Sequence, residues 1–289
     1  MIQMMKRILR NNFFILGMLF IFGCSSVENR DIEKVDSKYL ILKGMNLKKV
    51  GKYSQALELY EKALKYNKKD NILYKELAET YIKLGEYSKG IKYYKKALDI
   101  SDYKMDISKN LAYTYYLNDD YDNSLNYINR LSETELDIES KKLKGFLLIK
   151  NKKIKEAKNY LKETEEEINI FDKIYYSSYI EFLEKNNYNE ELEELFTNIS
   201  NKYYDNIDAM TLYFVKKEKN CKDINELEKE LKRYIVNKES NDELYILLGE
   251  IEYKLKKYNE SKMSLKFVSP EGRMNERYIK LIRRLKWKK

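Results

Sequence analysis

Gly51-Lys52-Tyr53-Ser54-Gln55-Ala56 recurs 34 residues later as Gly85-Glu86-Tyr87-Ser88-Lys89-Gly90. Three residues of the following segment recur at the same distance, since Tyr60, Ala63 and Leu64 reappear as Tyr94, Ala97 and Leu98. A constant period of this size, with helical spacing inside each unit, is the signature of stacked helix-turn-helix repeats. The sequence therefore predicts an all-α fold, an α-solenoid of stacked helical hairpins.

The composition agrees with this prediction and narrows the possible functions. The 289 residues include 28 Tyr, nine Gly and one Pro, whereas β-sandwiches and barrels need frequent turn residues. The chain contains no His. This excludes His-based acid/base catalysis, Ser-His and Cys-His nucleophile pairs and His-ligated metal sites.

The repeated positions resemble the tetratricopeptide repeat family, whose units carry small or apolar residues at unit positions 4, 7, 8, 11, 20, 24 and 27. The unit that starts at Asn71 matches best, with Tyr74, Leu77, Ala78, Tyr81, Gly90, Tyr94 and Ala97. The resemblance implies well-matched units over residues 37–165, degenerate helical repeats over 166–241 and a last unit over 242–275.

Spacing within each unit also predicts which residues are buried. Positions 4, 7, 8 and 11 follow i, i+3, i+4, i+7 spacing and form one apolar stripe on the first helix. A tyrosine stripe of this kind is typical of a core, so we expect Tyr74, Tyr81, Tyr94 and Tyr115 to be buried.

The last residues of the chain are predicted to close the stack, because a terminal repeat needs a cap with a polar outer face. Met274, Tyr278, Leu281 and Leu285 form an apolar stripe beside a basic one. We therefore expect residues 276–289 to form a basic capping helix.

The N-terminus is typical of an export signal. Lys6, Arg7 and Arg10 precede the apolar run 13–22, which ends at Gly23-Cys24. This run offers about half of the roughly 20 apolar residues that a spanning helix needs. A cleaved signal is therefore favoured over a transmembrane anchor.

Ile21-Phe22-Gly23-Cys24 resembles the lipobox of bacterial lipoproteins. The resemblance implies removal of residues 1–23, acylation of Cys24, for example with palmitate, and a polar tether over 24–36. Several acyl chains together hold a soluble protein on a bilayer. Ser25 resembles the sorting pattern for the outer membrane, so we expect a lipid-anchored protein of the bacterial cell envelope that faces the periplasm. An ordinary signal peptide with a chance Cys is the alternative.

The net charge of +9 is carried mainly by the two ends of the chain. Residues 1–23 carry +3 and residues 271–289 carry +6, so the remainder is close to neutral. A nucleic-acid partner is therefore not expected, because the required basic stripe is absent from the body. The basic C-terminal segment is interpreted as a solvated cap face, with docking to anionic lipid or an acidic partner as the alternative.

In tetratricopeptide repeats, unit positions 2, 5, 9, 12 and 13 of the first helices face a concave groove that holds a peptide. On this sequence the resemblance implies seven groove candidates, namely Lys75, Glu79, Lys109, Tyr113, Tyr116, Lys142 and Phe146. Such cations and aromatic rings hold peptides by charge-assisted hydrogen bonds and stacking. The family's carboxylate clamp is not reproduced: Lys75 and Asn110 have clamp-like offsets, but Glu79, Glu139 and Leu143 occupy the others.

No Gly-rich phosphate loop, paired metal ligands, cofactor motif or catalytic constellation is recognisable. We therefore expect a protein that is not an enzyme, a membrane-anchored scaffold that binds another envelope protein or a peptide segment of it. The alternative is a regulatory or substrate-binding subunit of an envelope enzyme, such as a cell-wall synthesis complex. Cytosolic nucleic-acid binding would require Cys24 to be unmodified. The residues alone do not choose the envelope process.

Overall fold

The computed structural model describes residues 28–102, 104–238 and 240–286, with side chains from Ser37 onward. All regular secondary structure in this part of the chain is helical, which confirms the predicted all-α class. The described α-helices are α1 (Glu28–Lys49), α2 (Tyr53–Tyr66), α3 (Asn71–Lys83), α4 (Tyr87–Ile100), α5 (Met105–Leu117), α6 (Tyr121–Ile128), α7 (Ile138–Lys150), α8 (Ile154–Glu167), α9 (Lys173–Lys185), α10 (Asn189–Lys202), α11 (Ile207–Asn220), α12 (Ile224–Asn237), α13 (Asp242–Lys254), α14 (Tyr258–Ser264) and α15 (Glu276–Leu285).

The predicted signal segment, residues 1–23, and Cys24 lie outside the described residues. Helix α1 begins at Glu28, so residues 28–36 of the predicted polar tether are helical. None of the described helices combines the length and the apolar character needed to cross a bilayer.

The chain divides into two compact units, one ending at Ala157 and the other beginning at Lys158. In the first unit α1 packs on α2, α3 on α4 and α5 on α6. Each pair is joined by a turn of three residues, which makes the two helices antiparallel neighbours. Contacts between α2 and α3 and between α4 and α5 stack these hairpins on one another.

Six of the described hairpin turns share one backbone conformation, and the turn between α11 and α12 is the exception. Gly51 and Gly85 have φ of 76° and 77°, a left-handed conformation that glycine adopts without steric cost. Each turn closes the preceding helix with backbone hydrogen bonds, such as the 2.9 Å bond from the Lys52 N–H to the Leu47 carbonyl. The same conformation is kept at four non-glycine residues, Asp119 (φ 57°), Lys152 (58°), Asn187 (58°) and Lys256 (62°). The turn therefore persists where the sequence no longer shows its glycine.

Small residues allow close approach of the two helices in a hairpin. A Cβ added to Gly44 would lie 2.4 Å from the ring of Tyr60, so a larger residue there would clash with the buried ring. In the third hairpin the Ser124 hydroxyl donates a 2.6 Å hydrogen bond to the Ala112 carbonyl. Unit positions 8 and 20 thus meet in the third hairpin, and position 8 meets position 24 in the first, in agreement with the predicted close approach.

Tyrosines fill much of the core of the first unit. Tyr60 is fully buried, and the four predicted core tyrosines, Tyr74, Tyr81, Tyr94 and Tyr115, are all buried. Their rings pack between successive helices, as in the stacked pair Tyr81–Tyr93 with centroids 5.6 Å apart. The predicted core stripe is therefore confirmed.

The second unit contains hairpins where the repeat pattern is weakest. Helices α9 and α10 form one, α11 and α12 the next, and both lie within residues 166–241. In the last hairpin Gly249 is the eighth residue of its first helix, and the equivalent residues of α9 and α11 are Ile180 and Phe214, both fully buried. Large apolar residues occupy the positions that usually identify a repeat, which explains the weak signal.

Helix α15 covers the C-terminal end of the second unit. Leu281 and Leu285 are buried in a cluster with Ile246, Leu265 and Val268. The inclusion of Met274 in the apolar stripe is wrong, because this residue is 81% exposed and precedes the helix. The side chain of Asn275 accepts a hydrogen bond from the Arg277 N–H and caps the helix after Met274. Residues 287–289 of the predicted capping helix lie outside the described residues.

Candidate peptide-binding groove

The first helices of three successive hairpins line a groove of about 390 Å³ in the first unit. Its wall comes from α1, α3 and α5, with two tyrosines from α2 and α4. The lining residues are Lys48, Lys49, Tyr53, Glu79, Ile82, Lys83, Tyr94, Asn110, Tyr113 and Thr114.

The 34-residue period explains why these residues share one surface. Three pairs of lining residues are 34 positions apart, namely Lys48 with Ile82, Lys49 with Lys83, and Glu79 with Tyr113. Equivalent positions of stacked repeats face the same direction, so these residues line one groove even where their types differ. Only Lys49 and Lys83 also repeat the residue type.

A partly buried ion-pair network forms one side of the groove. The Lys48 ammonium lies 2.8 Å from a carboxylate oxygen of Glu76 and 2.5 Å from one of Glu79. The hydroxyl of Tyr60 donates a 2.7 Å hydrogen bond to Glu76. Burial lowers the pKa of Lys48, but the hydrogen bonds to the two carboxylates outweigh it and the pKa is raised. Burial, reinforced by Glu76, also raises the pKa of Tyr60. Lys48 is therefore charged and Tyr60 neutral near pH 7.

A second set of groups lines the groove and takes no part in this ion-pair network. Lys49 and Lys83 are exposed, and neither forms an ion pair with a described residue. Asn110 is exposed as well, and Tyr113 is 51% exposed. Two ammonium groups, an amide and a phenol ring thus face the same channel. These groups bind carboxylates and peptide carbonyls, and the ring stacks on a flat or apolar group.

Of the seven predicted candidates, only Glu79 and Tyr113 line this groove. Tyr116 stacks on Tyr113 with ring centroids 6.5 Å apart and so supports the exposed ring from behind. Lys75 and Phe146 are half-buried and lie elsewhere on the unit.

The other two predicted cations form ion pairs within the repeats. The Lys109 ammonium lies 2.9 Å from Asp137, which also caps α7 by accepting the Ser140 N–H. Burial raises the pKa of Asp137, but the bonds from Lys109 and Ser140 outweigh it and the pKa is lowered. Lys142 is buried and pairs with Glu139 at 2.8 Å. Both charges thus bind residues of the chain itself, and neither residue lines the groove described above.

Sequence reasoning missed Lys48, Lys49, Ile82 and Lys83, although a signal was present. These residues occupy positions 12 and 13 of the 34-residue repeats that start at Ser37 and Asn71. Among the predicted candidates these positions are represented only in the third repeat, by Tyr116. Asn110, which has a clamp-like offset in the sequence, also lines the groove.

The second unit contains a more polar groove of about 400 Å³, lined by Glu165, Glu166, Asn198, Asn201 and Lys202. Glu165 is buried and accepts hydrogen bonds from the Tyr176 hydroxyl at 3.1 Å and the Asn198 amide at 3.3 Å. None of the predicted candidates lies here. The carboxylate is held by groups of the chain, so this groove is a weaker candidate for a partner.

Three carboxylates in the second unit, those of Glu228, Glu252 and Glu260, lie close enough to hold a metal ion. The ammonium of Lys232 lies 2.8 Å from each of them and supplies the positive charge. Lys257 also contacts Glu228. An ion-pair network therefore accounts for the cluster without a metal.

Cys221 is half-buried at the end of α11, and its thiol contacts the Glu218 carbonyl at 3.6 Å. Burial, reinforced by the negative charge of Glu218, raises the pKa of this thiol. The pKa of a reactive cysteine is instead lowered by nearby cations. We assign no chemistry to Cys221.

Comparison with known proteins gives a family match for part of the chain and solved structures with a similar fold. The family model of the tetratricopeptide repeat matches residues 41–104. YrrB, described as a tetratricopeptide repeat protein with an unusual peptide-binding site, superimposes with a TM-score of 0.51 at 19% identity, over 64% of this chain and 96% of YrrB. No curated protein sequence matches the chain.

Two further solved structures share the fold. A tetratricopeptide repeat protein from Parabacteroides merdae has a TM-score of 0.53 at 16% identity, over 86% of this chain and 97% of its own. MamA from Desulfovibrio magneticus has a TM-score of 0.54 at 12% identity, over 59% of this chain and 97% of the MamA chain. The chain is thus an all-α protein of stacked helical hairpins. These hairpins are tetratricopeptide repeats over residues 41–104, which confirms the predicted resemblance.

Proposed function

We propose that this chain is a membrane-anchored interaction scaffold that holds a segment of a partner protein in the groove between α1, α3 and α5. One observation carries the proposal. Lys49, Lys83, Asn110 and Tyr113 present exposed donors and an aromatic ring along one channel formed by three consecutive repeats. An extended peptide offers the carbonyl and carboxylate acceptors that such donors require.

The charge of the groove favours a segment that carries an acidic group. Glu79 is the only carboxylate among the lining residues, and Lys48 pairs with it. Lys49 and Lys83 therefore leave an excess positive charge, and long-range attraction steers an acidic segment into the channel. YrrB is described as having a peptide-binding site, and its similar fold makes a peptide a reasonable occupant here.

The proposed role is binding, and no residue is assigned to catalysis. The sequence lacks His, and its carboxylate trio in the second unit is neutralised by Lys232. No observation favours the alternative of a regulatory subunit of an envelope enzyme over a scaffold.

The cellular location is part of the same proposal and rests on the sequence around Cys24. The basic residues before the apolar run 13–22, together with Gly23-Cys24, support lipidation at Cys24 in the bacterial cell envelope. Ser25 supports the outer membrane, with the repeats facing the periplasm and another envelope protein as partner.

Metabolic labelling with a radioactive fatty acid tests the anchor. Labelling is expected in the wild type and in Cys221→Ser, the matched control, and is expected to be absent in Cys24→Ser. Equal labelling of the wild type and Cys24→Ser would contradict the proposed anchor, while the groove would remain to be tested separately.

Site-specific crosslinking in intact cells tests the groove. A photoreactive amino acid replaces Tyr113 in one strain and Tyr66, an exposed tyrosine on α2, in a second. We expect a defined adduct from position 113 and none from position 66. Lys49→Glu/Lys83→Glu should abolish the adduct, because it reverses the charge of the channel.

Lys62→Glu/Lys65→Glu is the matched control, since it makes the same charge change on the exposed face of α2. An adduct from position 113 that survives Lys49→Glu/Lys83→Glu would contradict the proposed groove. The same conclusion would follow if the control pair abolished the adduct equally.

A further inference from the structure

The C-terminal end of the second unit combines exposed apolar side chains with a high density of cations. Met263, Phe267 and Met274 are 54%, 65% and 81% exposed. Residues 262–286 contain eight Lys and Arg and two Glu, a net charge of +6. Residues 158–261 contain 16 Lys and Arg and 24 Asp and Glu, a net charge of −8. The positive charge of this unit is therefore concentrated at one end, here named the C-terminal tip (residues 262–286).

The loop that presents Phe267 is held in place by the preceding hairpin. Asp242 accepts hydrogen bonds from the backbone N–H of Ser269 at 2.8 Å and from its hydroxyl at 2.5 Å. The ring of Phe267 stacks on Tyr245 of α13 with centroids 5.3 Å apart. One face of the ring is thus supported, and the rest of the side chain is open to solvent.

Arg273 forms hydrogen bonds to the backbone of the segment that contains Phe267. Its guanidinium donates to the Val268 carbonyl at 3.1 Å and to the Lys266 carbonyl at 3.4 Å. Met274 is the next residue, so a cation and an apolar side chain lie beside the Phe267 segment. Three exposed apolar residues of the tip directly follow a cation in the sequence, in the pairs Lys262-Met263, Lys266-Phe267 and Arg273-Met274.

Helix α15 adds further cations to the tip. Arg283, Arg284 and Lys286 are exposed, and none of them forms an ion pair with a described residue. Leu281 and Leu285 are buried against the hairpin, so the apolar face of the helix is already covered. The cations of the helix are available to a partner.

We propose that the C-terminal tip docks on a bilayer surface rich in anionic lipid. Phe267, Met263 and Met274 enter the headgroup region, and Arg283 and Arg284 contact lipid phosphates. Cations attract an anionic surface, and apolar side chains beside them become buried at the headgroup boundary. The acidic remainder of the unit is repelled by the same surface, so the unit meets it end-on.

A bilayer fits these observations better than an acidic protein. The apolar side chains are distributed among cations, and a headgroup layer accepts both without a shaped cavity. Neither of the two grooves described above is lined by a residue of the tip. This inference does not depend on the proposed peptide groove, because it concerns other residues and another ligand.

The single tryptophan of the chain, Trp287, provides a local reporter, since it directly follows Lys286 in the sequence. The full chain is mixed with vesicles of phosphatidylcholine alone or of phosphatidylcholine and phosphatidylglycerol. We expect a blue shift of the tryptophan emission with the anionic vesicles only, and its loss at high salt. The N-terminal segment 1–23 is basic and apolar and is present in every variant, so the comparison of variants isolates the contribution of the tip.

Variants assign the binding to the tip. Arg283→Gln/Arg284→Gln should weaken the salt-sensitive binding about 25-fold, because each cation near an anionic surface contributes about fivefold. Phe267→Ser/Met274→Ser should reduce the blue shift. The matched control is Lys219→Gln/Lys222→Gln, which removes two exposed cations of the same unit outside the tip. Unchanged thermal unfolding would show that each variant is folded.

Three results would overturn the proposal. They are a blue shift of equal size with both kinds of vesicle, no blue shift with either, and equal weakening by the tip and control pairs. A shift with soluble polyglutamate and none with vesicles would also contradict it and would assign the tip to an acidic protein.

Discussion

The hydroxyl of the fully buried Tyr60 donates a 2.7 Å hydrogen bond to the buried carboxylate of Glu76. Lys48 pairs with the same carboxylate at 2.8 Å, so side chains from α1, α2 and α3 meet at one point beneath the groove. A buried carboxylate is stable only when it is hydrogen-bonded and paired. This contact therefore fixes the first hairpin against the second and holds the wall of the groove.

Tyr60→Phe tests this contact by removing the donor and keeping the ring. We expect the free energy of unfolding to fall by about 1–3 kcal/mol, because a buried acceptor loses a partner. The measurement is urea denaturation at pH 7. Tyr66→Phe on the same helix is the control, since Tyr66 is exposed and should change stability by less than about 0.5 kcal/mol. Equal effects of the two substitutions would contradict the role given to Tyr60.

Substitution by glycine is predicted to have opposite effects on stability at two positions. It should stabilise the protein at a left-handed turn residue and destabilise it in the helix that follows. Lys152→Gly should stabilise the protein by about 0.5–1 kcal/mol, because a non-glycine residue at φ 58° carries strain of about 1–2 kcal/mol that glycine avoids. Lys155→Gly, at an exposed position in the first turn of α8, should destabilise it by up to about 1 kcal/mol, the cost of glycine in a helix interior. Thermal unfolding of both variants gives the comparison.

Gly51→Ala completes this test at a native glycine turn. No atom lies within 4 Å of the added methyl group, so only the backbone conformation opposes the change. We expect a loss of about 1 kcal/mol or more. A neutral Gly51→Ala, or a destabilising Lys152→Gly, would contradict the strained-turn interpretation.

Lys232 is predicted to stabilise the second unit by neutralising buried carboxylates. Its ammonium lies 2.8 Å from Glu228, Glu252 and Glu260, and the first two are buried. Lys232→Met should lower the free energy of unfolding at pH 7 by on the order of 3 kcal/mol, because buried Glu252 loses the Lys232 ammonium and Glu228 keeps only Lys257. Lys229→Met, which removes an exposed ion pair, should cost less than about 1 kcal/mol.

The pH dependence of this network has a definite sign. Burial raises the pKa of Glu228, but the hydrogen bonds from Lys232 and Lys257 outweigh it and the pKa is lowered. A carboxyl with a lowered pKa contributes stability above its unfolded pKa, near about 4.3, and loses it as the pH falls through the folded pKa. In Lys232→Met the Glu228 carboxylate keeps only Lys257, so its pKa is lowered less than in the wild type.

The stability difference between wild type and Lys232→Met should therefore shrink between pH 7 and about pH 4. Urea denaturation of both proteins at several pH values measures it. A difference that stays constant over this range would show that lost packing, and not charge, accounts for the destabilisation.

The hairpins and their core were predictable from sequence because the evidence is local and periodic. The recurrence of Gly51 and Gly85 gave the turn, and the tyrosine stripe gave the core. Residues 166–241 gave a weak signal because Ile180 and Phe214 replace small residues, and the fold is kept by larger side chains. Met274 was misplaced because the cap at Asn275 is a single hydrogen bond that apolar spacing does not reveal.

The groove was only partly predictable. Glu79 and Tyr113 are predicted from their positions in the second and third repeats. The same rule, applied to the first two repeats, predicts Lys49 and Lys83. The pairing of Lys109 with Asp137 was not predictable, because it depends on how one repeat approaches the next. The position of a residue in the repeat predicts which face of the helix it occupies. The residues that a long charged side chain binds depend instead on how neighbouring helices pack.

Selection from a displayed library of random peptides tests the central claim most directly, because it measures binding to the purified chain without a cellular partner. We expect enrichment of peptides that carry an acidic residue or a free C-terminal carboxylate. The selected peptides should bind Lys49→Glu/Lys83→Glu at least about tenfold more weakly than wild type, since each charge-assisted contact contributes about 1.5–3 kcal/mol. Lys62→Glu/Lys65→Glu should bind them as wild type does. Peptides of no common character, or equal affinity for wild type and Lys49→Glu/Lys83→Glu, would contradict the account.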